Sequence, residues 1–520
     1  MSERTTRCYQ LKTQIAAQGG VSPQPLKDRH ELILEHFESG ERTACTPSEM
    51  PPIAVHAGII GAGMGGLAAA IALRRGGVKV TILEAATELG EIGAGIHMFS
   101  NVSKYLIRWG VDEIIGENLV QVDEVRTWGV NGEVVTRVDP KRVHKLTGFP
   151  HLIARRDHLH AGLTESARRH GVEIIVGARV QELKYAEKSA TVTTTKGISY
   201  TFDLVIGCDG IKSTIRQHLF PEVKPRAPSK VAAYRGVLTY EEIRTKAPEA
   251  ASILTNTMDM WTGPNGYIMT YPLSGGKELN VVTSFCKDYY VEKMEEVDID
   301  EFRGYYKDYS PAIQSIIKLV NYTQRWPLLV MPLMDRWSNE ARNVVLLGDA
   351  AHCMQNHVGQ GAATAIEDGV FLGRVLSEVV RGALTVPEAV SIYEQKRIPR
   401  AWTKQQVSLV SGELNMCSDA EDLLKRNASS LPEAHGLEKN GEVMGQFPPL
   451  PPEYRSWQMF DSPESVPGIF YYDAEGDADN AVCEFLQARD REAGKVDELT
   501  MVSEALRKKW WAAVDFNGIG

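Results

Sequence analysis

The feature that most constrains this 520-residue chain is a glycine turn set between two apolar runs. Residues 53–60 are mostly apolar and of strand length, and Gly61-Ala62-Gly63-Met64-Gly65-Gly66 follows. The small-residue stretch 67–75 predicts a helix that stops at Gly76-Gly77, and 78–83 predicts a second strand. Strand, turn, helix and strand in that order predict a parallel βαβ unit. In such a unit Gly61 allows the tight turn, Gly63 lets a pyrophosphate approach the backbone, and Gly66 lets the helix pack on the strand. The anion then meets free N–H groups at the positive end of the helix. Glu84 ends the second strand, where a carboxylate accepts from both hydroxyls of an adenosine ribose and disfavours a 2'-phosphate. The turn alone predicts an ADP-containing dinucleotide and leaves NAD and FAD open.

Composition bounds the rest. The length exceeds one simple core and predicts two domains or one composite domain with a tail. A net charge of -10 with no basic stripe argues against nucleic acid as a partner. The cysteines Cys8, Cys45, Cys208, Cys286, Cys353, Cys417 and Cys483 are scattered and never form a C-x-x-C pair. That argues against a zinc site or a disulfide framework and predicts a reducing compartment. Residues 1–24 lack an apolar signal-peptide core, and the longest apolar run, 59–73, is glycine-rich and too short to span a bilayer. A soluble, cytoplasmic protein with no membrane span is the expectation.

Two further constellations carry chemistry. Leu204-Val205-Ile206-Gly207-Cys208-Asp209-Gly210 is a buried strand ending in an Asp-Gly turn, with Ser213 and Arg216 beyond it. Taken alone, that is an ordinary turn. Val344 to Leu347 then delivers Gly348-Asp349-Ala350-Ala351-His352, followed by Gly359-Gln360-Gly361-Ala362 and Glu367-Asp368. Asp349 is placed to hold a polyol such as a ribityl chain. The helix opening at Gly361 would bring partial positive charge to an isoalloxazine ring. A nicotinamide enzyme has no use for this third element. His352 reads as a support for the turn, and Cys208 and Cys353 as small buried fillers.

Together these motifs resemble the single-component aromatic hydroxylases among flavoprotein monooxygenases, the p-hydroxybenzoate hydroxylase type, and especially their fungal salicylate hydroxylase-like members. The resemblance covers about residues 53–410. It implies FAD as cofactor, held by Gly61, Gly63, Gly66, Glu84, Ala94, Gly95, Arg156, Asp209, Asp349, Gly361 and Ala362. Of these, Arg156 matches the arginine of a short Arg-x-x-Leu segment, and Ala94-Gly95 lies in the loop after the second strand. It also implies NAD(P)H as co-substrate, O2, and a phenolic or salicylate-like aromatic substrate hydroxylated through a C4a-hydroperoxide. Arg235 is the arginine that fungal relatives place facing flavin and substrate, where a cation lowers a phenol's pKa. Tyr234 is its suggested partner, and Tyr267 would project into the same cavity. One departure stands out. Asn356 occupies the position where many members carry a proline beside the flavin.

The expected fold is an α/β composite. A Rossmann-like FAD-binding domain is joined by an interleaved mixed β-sheet substrate domain and a long C-terminal helical region. An N-terminal extension (1–52, with one helix at 30–38) precedes the FAD domain (53–230). The substrate sheet (231–335), the second part of the FAD domain (336–415) and a C-terminal appendage (416–520) follow. Antiparallel strands are expected at 173–195 and 267–285. Helix is expected from 362 to 413, interrupted near Pro387 and Pro399. The appendage reads as loosely structured, with helices near 479–491 and 498–514. A monomer or homodimer is expected. The alternatives are a flavoprotein epoxidase of a prenylated or polyketide intermediate and, from another class, a NAD-dependent dehydrogenase. The dehydrogenase would leave the Asp209 and Asp349 motifs unexplained.

Overall fold

The computed structural model describes residues 53–90, 93–416, 438–439, 442–443 and 472–491. The expected helices at 30–38 and 498–514 lie outside the described residues.

Five strands form a sheet in the order Val344–Leu346, Leu204–Gly207, His56–Ile60, Lys79–Leu83, Glu173–Ile175. Every pairing is parallel. The three central strands are buried at nearly every position, as strands covered on both faces must be. This order puts three sequence-distant turns side by side at the carboxyl edge. The Gly61 amide donates to Leu83, Cys208 to Ile60 and Leu347 to Gly207. Open parallel sheets bind ligands at this edge.

The helix Met64–Arg75 lies against the helix Gly361–Val380 along a seam of small residues. A Cβ on Gly369 would sit 2.6 Å from the Ala69 Cα, and one on Gly373 would sit 2.7 Å from the Ala72 carbonyl carbon. A Cβ on Gly65 would approach the Ala365 Cβ to 2.9 Å. Spacing of about four residues keeps each set on one face of its helix. The glycine turn and the start of the second helix are therefore held together by backbone contact.

An eight-stranded mixed sheet forms the other layer. Its register decides which side chains share a face. Arg235 stands opposite Val282, Val282 opposite Met269, and Met269 opposite Met260. Tyr267 stands opposite Ser284, and Tyr271 opposite Asn280. The alternate positions Tyr234, Ile268 and Trp261 turn away into a core with Phe302, Tyr306 and Ile313. The sheet also recruits Glu124–Trp128 and Val134–Val138, from outside residues 231–335.

Three sequence expectations need correction. Glu173–Ile175 joins the parallel sheet rather than an antiparallel pair. Gly177, at φ +63°, breaks the run. The antiparallel trio begins only afterwards, with Val180–Tyr185, Ala190–Thr194 and Ser199–Phe202. The helix Val386–Asn415 runs through Pro399 unbroken. A proline in a helix interior costs about 3 kcal/mol. Here the flanking Arg397 and Arg400 are pinned by carboxylates of the neighbouring helix, which offsets that cost. The expected interruption near Pro387 is present: one helix ends at Val380 and the next begins at Val386, with Pro387 in its first turn, where its missing N–H is not needed.

The third correction concerns the appendage. Residues 472–491 are not loose. The helix Ala474–Arg491 docks with its acidic side on cations of the helices Ser100–Arg108, Gly361–Val380 and Val386–Asn415. Glu475 pairs with Arg108 at 2.9 Å, Asp479 with Arg374 at 2.6 Å, and Glu484 with Lys396 at 2.9 Å. The Tyr105 hydroxyl donates to Asp473 at 2.9 Å and accepts from the Ala474 amide at 2.8 Å. Among the described residues no helix is long and apolar enough to cross a membrane.

Candidate active site

One cleft runs between the two layers. Its lining includes Gly63, Met64 and Gly65 at one end and Asp349, Gly361 and Ala362 further along. The eight-stranded sheet contributes Arg235, Met258, Tyr267, Met269, Tyr271 and Val282. Ala94, Gly95 and Arg156 also line it.

The residues fit a long anionic dinucleotide. Gly61 and Gly66 are crowded. A Cβ on Gly61, at φ +105°, would lie 2.6 Å from the Cys208 oxygen, and one on Gly66 would lie 2.1 Å from the Gly61 oxygen. A Cβ on Gly63 would meet nothing within 4 Å. Tightness thus surrounds one open position at the start of a helix with no side-chain cap. The helix Gly361–Val380 likewise opens on the cleft with no side-chain cap. The Gln360 oxygen is engaged elsewhere, by Asn101 at 3.2 Å and Lys404 at 3.0 Å. Two uncapped helix N-termini on one cleft supply donors for negative charge at two separated points. Asp349 lines the same cleft, exposed and without a hydrogen-bond partner among the described residues.

The remaining expected cofactor residues are placed less directly. Glu84 is not part of the lining. Its carboxylate accepts from the Ala62 amide and the Ala86 amide, each at 2.7 Å, so it braces the glycine turn. Asp209 is also absent from the lining, where Cys208 and Gly210 take its place. Its carboxylate accepts from the Ser213 hydroxyl at 2.5 Å and from the Thr214 amide at 2.6 Å. It therefore caps the helix Thr214–Leu219. The Arg156 amide donates to Ala94 at 3.1 Å, and the Arg156 side chain fills the space beside Gly93.

The acids after Gly361 face away from the cleft. Glu367 accepts from Asn101 at 2.6 Å, Arg400 at 2.7 Å, Lys404 at 2.9 Å and Arg397 at 3.0 Å. Burial alone would raise the pKa of Glu367, but the surrounding cations hold it well below the usual range. Asp368 takes Arg397 at 2.7 Å, His352 at 2.5 Å and the Gly348 amide at 3.3 Å. This network locks the Gly348 turn to the two long helices. It also reaches the C-terminal segment, where the Arg397 guanidinium donates to the Tyr472 hydroxyl at 2.8 Å.

A model of the FAD-binding-domain family matches residues 54–408. The chain is 33% identical to 3-hydroxybenzoate 6-hydroxylase of Klebsiella oxytoca, over 68% of this chain and 87% of that one. The chain belongs to the FAD-dependent monooxygenases of this family. The cofactor of this flavoprotein is FAD. It is also 28% identical to the FAD-dependent monooxygenase OpS4 of Beauveria bassiana, over 82% of this chain and 97% of that one. The crystal structure of FqzB shares the fold, with a TM-score of 0.67 at 23% identity, covering 87% of this chain and 98% of that one.

On the sheet side of this flavoprotein's cleft, Arg235 is the outstanding group. Its guanidinium has no hydrogen-bond or ion-pair partner among the described residues. Arg235 is exposed to the cleft, whose walls lower its pKa from the ordinary arginine value by partial desolvation; Arg156 lowers it further, while Tyr271 and Tyr267 oppose the shift. Tyr234, its neighbour in sequence, is not part of this site. A strand alternates faces, and the Tyr234 hydroxyl accepts from Arg325 at 3.1 Å in the opposite core. Tyr267 lines the cleft, and its hydroxyl lies 2.8 Å from His357 Nδ1. Burial pushes the Tyr267 phenol up to about 12.

Sequence reasoning missed Met258, Met269, Tyr271 and Val282. The Tyr271 hydroxyl donates to the Gly95 oxygen at 3.2 Å and ties the sheet to the cofactor loop. The signal was present. Tyr267, Met269 and Tyr271 alternate along one strand and must share a face.

Proposed function

We propose that the protein hydroxylates an anionic, phenol-type aromatic substrate with NAD(P)H and O2. The observation that carries this reading is the unpartnered guanidinium of Arg235 in a cleft walled by Met258, Met269, Val282 and two tyrosines. A cation kept from protein anions at such a site is matched by an anion on the ligand. The 3-hydroxybenzoate 6-hydroxylase name of one relative is in keeping with an acidic phenol.

Bound FAD would supply the redox chemistry, taking reducing equivalents from NAD(P)H and activating O2 for transfer of one oxygen atom. Gly63 and the uncapped amides of the first helix would hold its pyrophosphate. Glu84 would meet the adenosine ribose with its remaining lone pairs. Asp349 would hold the ribityl chain, and the amides at Gly361 and Ala362 would face the ring. Asp209 would act at one remove, by shaping the turn at Cys208 and Gly210. Arg235 would bind the substrate oxyanion and favour the phenolate, which makes the ring electron-rich. Tyr267 would donate to the same oxygen, and the methionines would keep water from the reacting centre.

The test is Arg235→Ala with a panel of phenolic acids. Wild-type protein should show phenol-stimulated NAD(P)H oxidation. The variant should keep FAD and lose about 100-fold in kcat/KM, the scale of a charge-assisted contact. Unchanged turnover would remove Arg235 from the mechanism.

A further inference from the structure

We infer that His357 is a positioning residue, whose Nδ1–H donates to the Tyr267 oxygen and so directs the Tyr267 proton into the cleft beside Arg235. This inference rests on the reading of the cleft as a phenol site, but its geometry does not. Tyr267 and His357 are 1% and 3% exposed, and they meet at 2.8 Å.

Either atom of the pair can be the donor, so the other ring nitrogen decides. His357 Nε2 is buried with no partner among the described residues. The backbone of the helix Val386–Asn415 closes over that edge of the ring. A Cβ on Gly412 would lie 2.4 Å from His357 Cδ2 and 2.6 Å from Nε2. Among the described residues no group there accepts a proton from Nε2. Burial lowers the His357 pKa to about 4, so the ring is neutral and carries a single N–H. A buried N–H without an acceptor is rarer than a buried lone pair without a donor. The proton therefore sits on Nδ1, and Nδ1 donates to Tyr267.

The Tyr267 oxygen is then an acceptor on its His357 side. Across the strand from Tyr267 stands Ser284, whose buried hydroxyl makes no hydrogen bond among the described residues. One side of the oxygen is thus taken by a donor, and no protein acceptor among the described residues takes the phenolic proton. The phenolic proton is left to point to the cleft, where Arg235 lies on the same face of the sheet one residue pair further on. A hydroxyl donor and a guanidinium converge on one oxyanion, and neither has another anion to satisfy. The chain places a histidine after Asn356. The packing of Gly412 and Met416 around His357 and Tyr267 makes that histidine a fixed part of the wall.

Two measurements test this. In the FAD-loaded protein with ¹⁵N-labelled histidine, two-bond proton–nitrogen correlations report which ring nitrogen is protonated, and His357→Asn identifies the signal by its loss. The result expected is the Nδ1–H tautomer, unchanged from pH 6 to 8; an Nε2–H tautomer overturns the inference. The second is the KM for whichever phenol of the panel is turned over. His357→Leu should raise it about 10-fold, as loss of an oriented charge-assisted hydrogen bond does. His357→Asn, whose amide falls where Nδ1 was, should restore it to within about 2-fold. Equal loss in both variants overturns the inference. If no phenol is turned over, the proposed function fails, and the tautomer still decides the role of His357.

Discussion

Asp349 and Asp209 show how differently two aspartates in similar sequence settings can behave. Each ends a buried strand at a Gly-containing turn. Asp209 spends its carboxylate on Ser213, Thr214 and Ile215. Asp349 presents its own to the cleft without a partner. The account therefore predicts that Asp349→Ala weakens FAD binding about 10-fold with little change in unfolding temperature, measured by flavin titration of apoprotein. Asp209→Ala should lower the unfolding temperature, since it uncaps a buried helix start. The glycine turn and Asp349 were legible because each lies in a short strand–turn–helix unit whose geometry is local. The capping role of Asp209 was not legible. It depends on where a carboxylate points after the turn, which the residue types alone do not settle. The opposition of Tyr234 and Arg235 follows from strand alternation, and the sequence reading set that alternation aside when it paired them.

At the scale of elements, the decisive contact is the seam between Met64–Arg75 and Gly361–Val380. It fixes the distance between the turn Gly61–Gly66 and the start of the helix Gly361–Val380. Gly369→Val would drive a branched side chain into the Ala69 backbone, where no flexible side chain can yield. The expected cost is about 3 kcal/mol or more, read as a lower thermal midpoint together with weaker FAD binding. A variant with wild-type stability would mean the helices can separate freely. Four of the five strands of the parallel sheet and the 266–286 hairpin were legible from apolar runs and turn residues; Glu173–Ile175 was not. The continuity of Val386–Asn415 through Pro399 was not, because it is imposed by Glu367 and Asp368, some thirty residues away in sequence. The docking of 472–491 was hidden for the same reason. Tyr105 and Asp473 are 368 positions apart.

For the whole molecule, buried neutral histidines set the acid limit of stability. Burial lowers His97 and His357 to about 4, and His151 is lowered well below its usual value. In the unfolded chain each takes a proton near pH 6.5. Between pH 6.5 and 4 the unfolded state binds the proton and the folded state does not, so acid favours unfolding. Each of the first two costs up to about 3 kcal/mol by pH 4. The unfolding midpoint should fall steadily from pH 7 to pH 4, and a flat profile would show that these rings are hydrated. Whether the cleft performs oxygen transfer is decided by turnover under ¹⁸O2 with NAD(P)H and the phenol panel, followed by product mass. The account predicts a product heavier by one ¹⁸O atom, with the label drawn from O2; a product without label, or no phenol-dependent NAD(P)H oxidation, would contradict it.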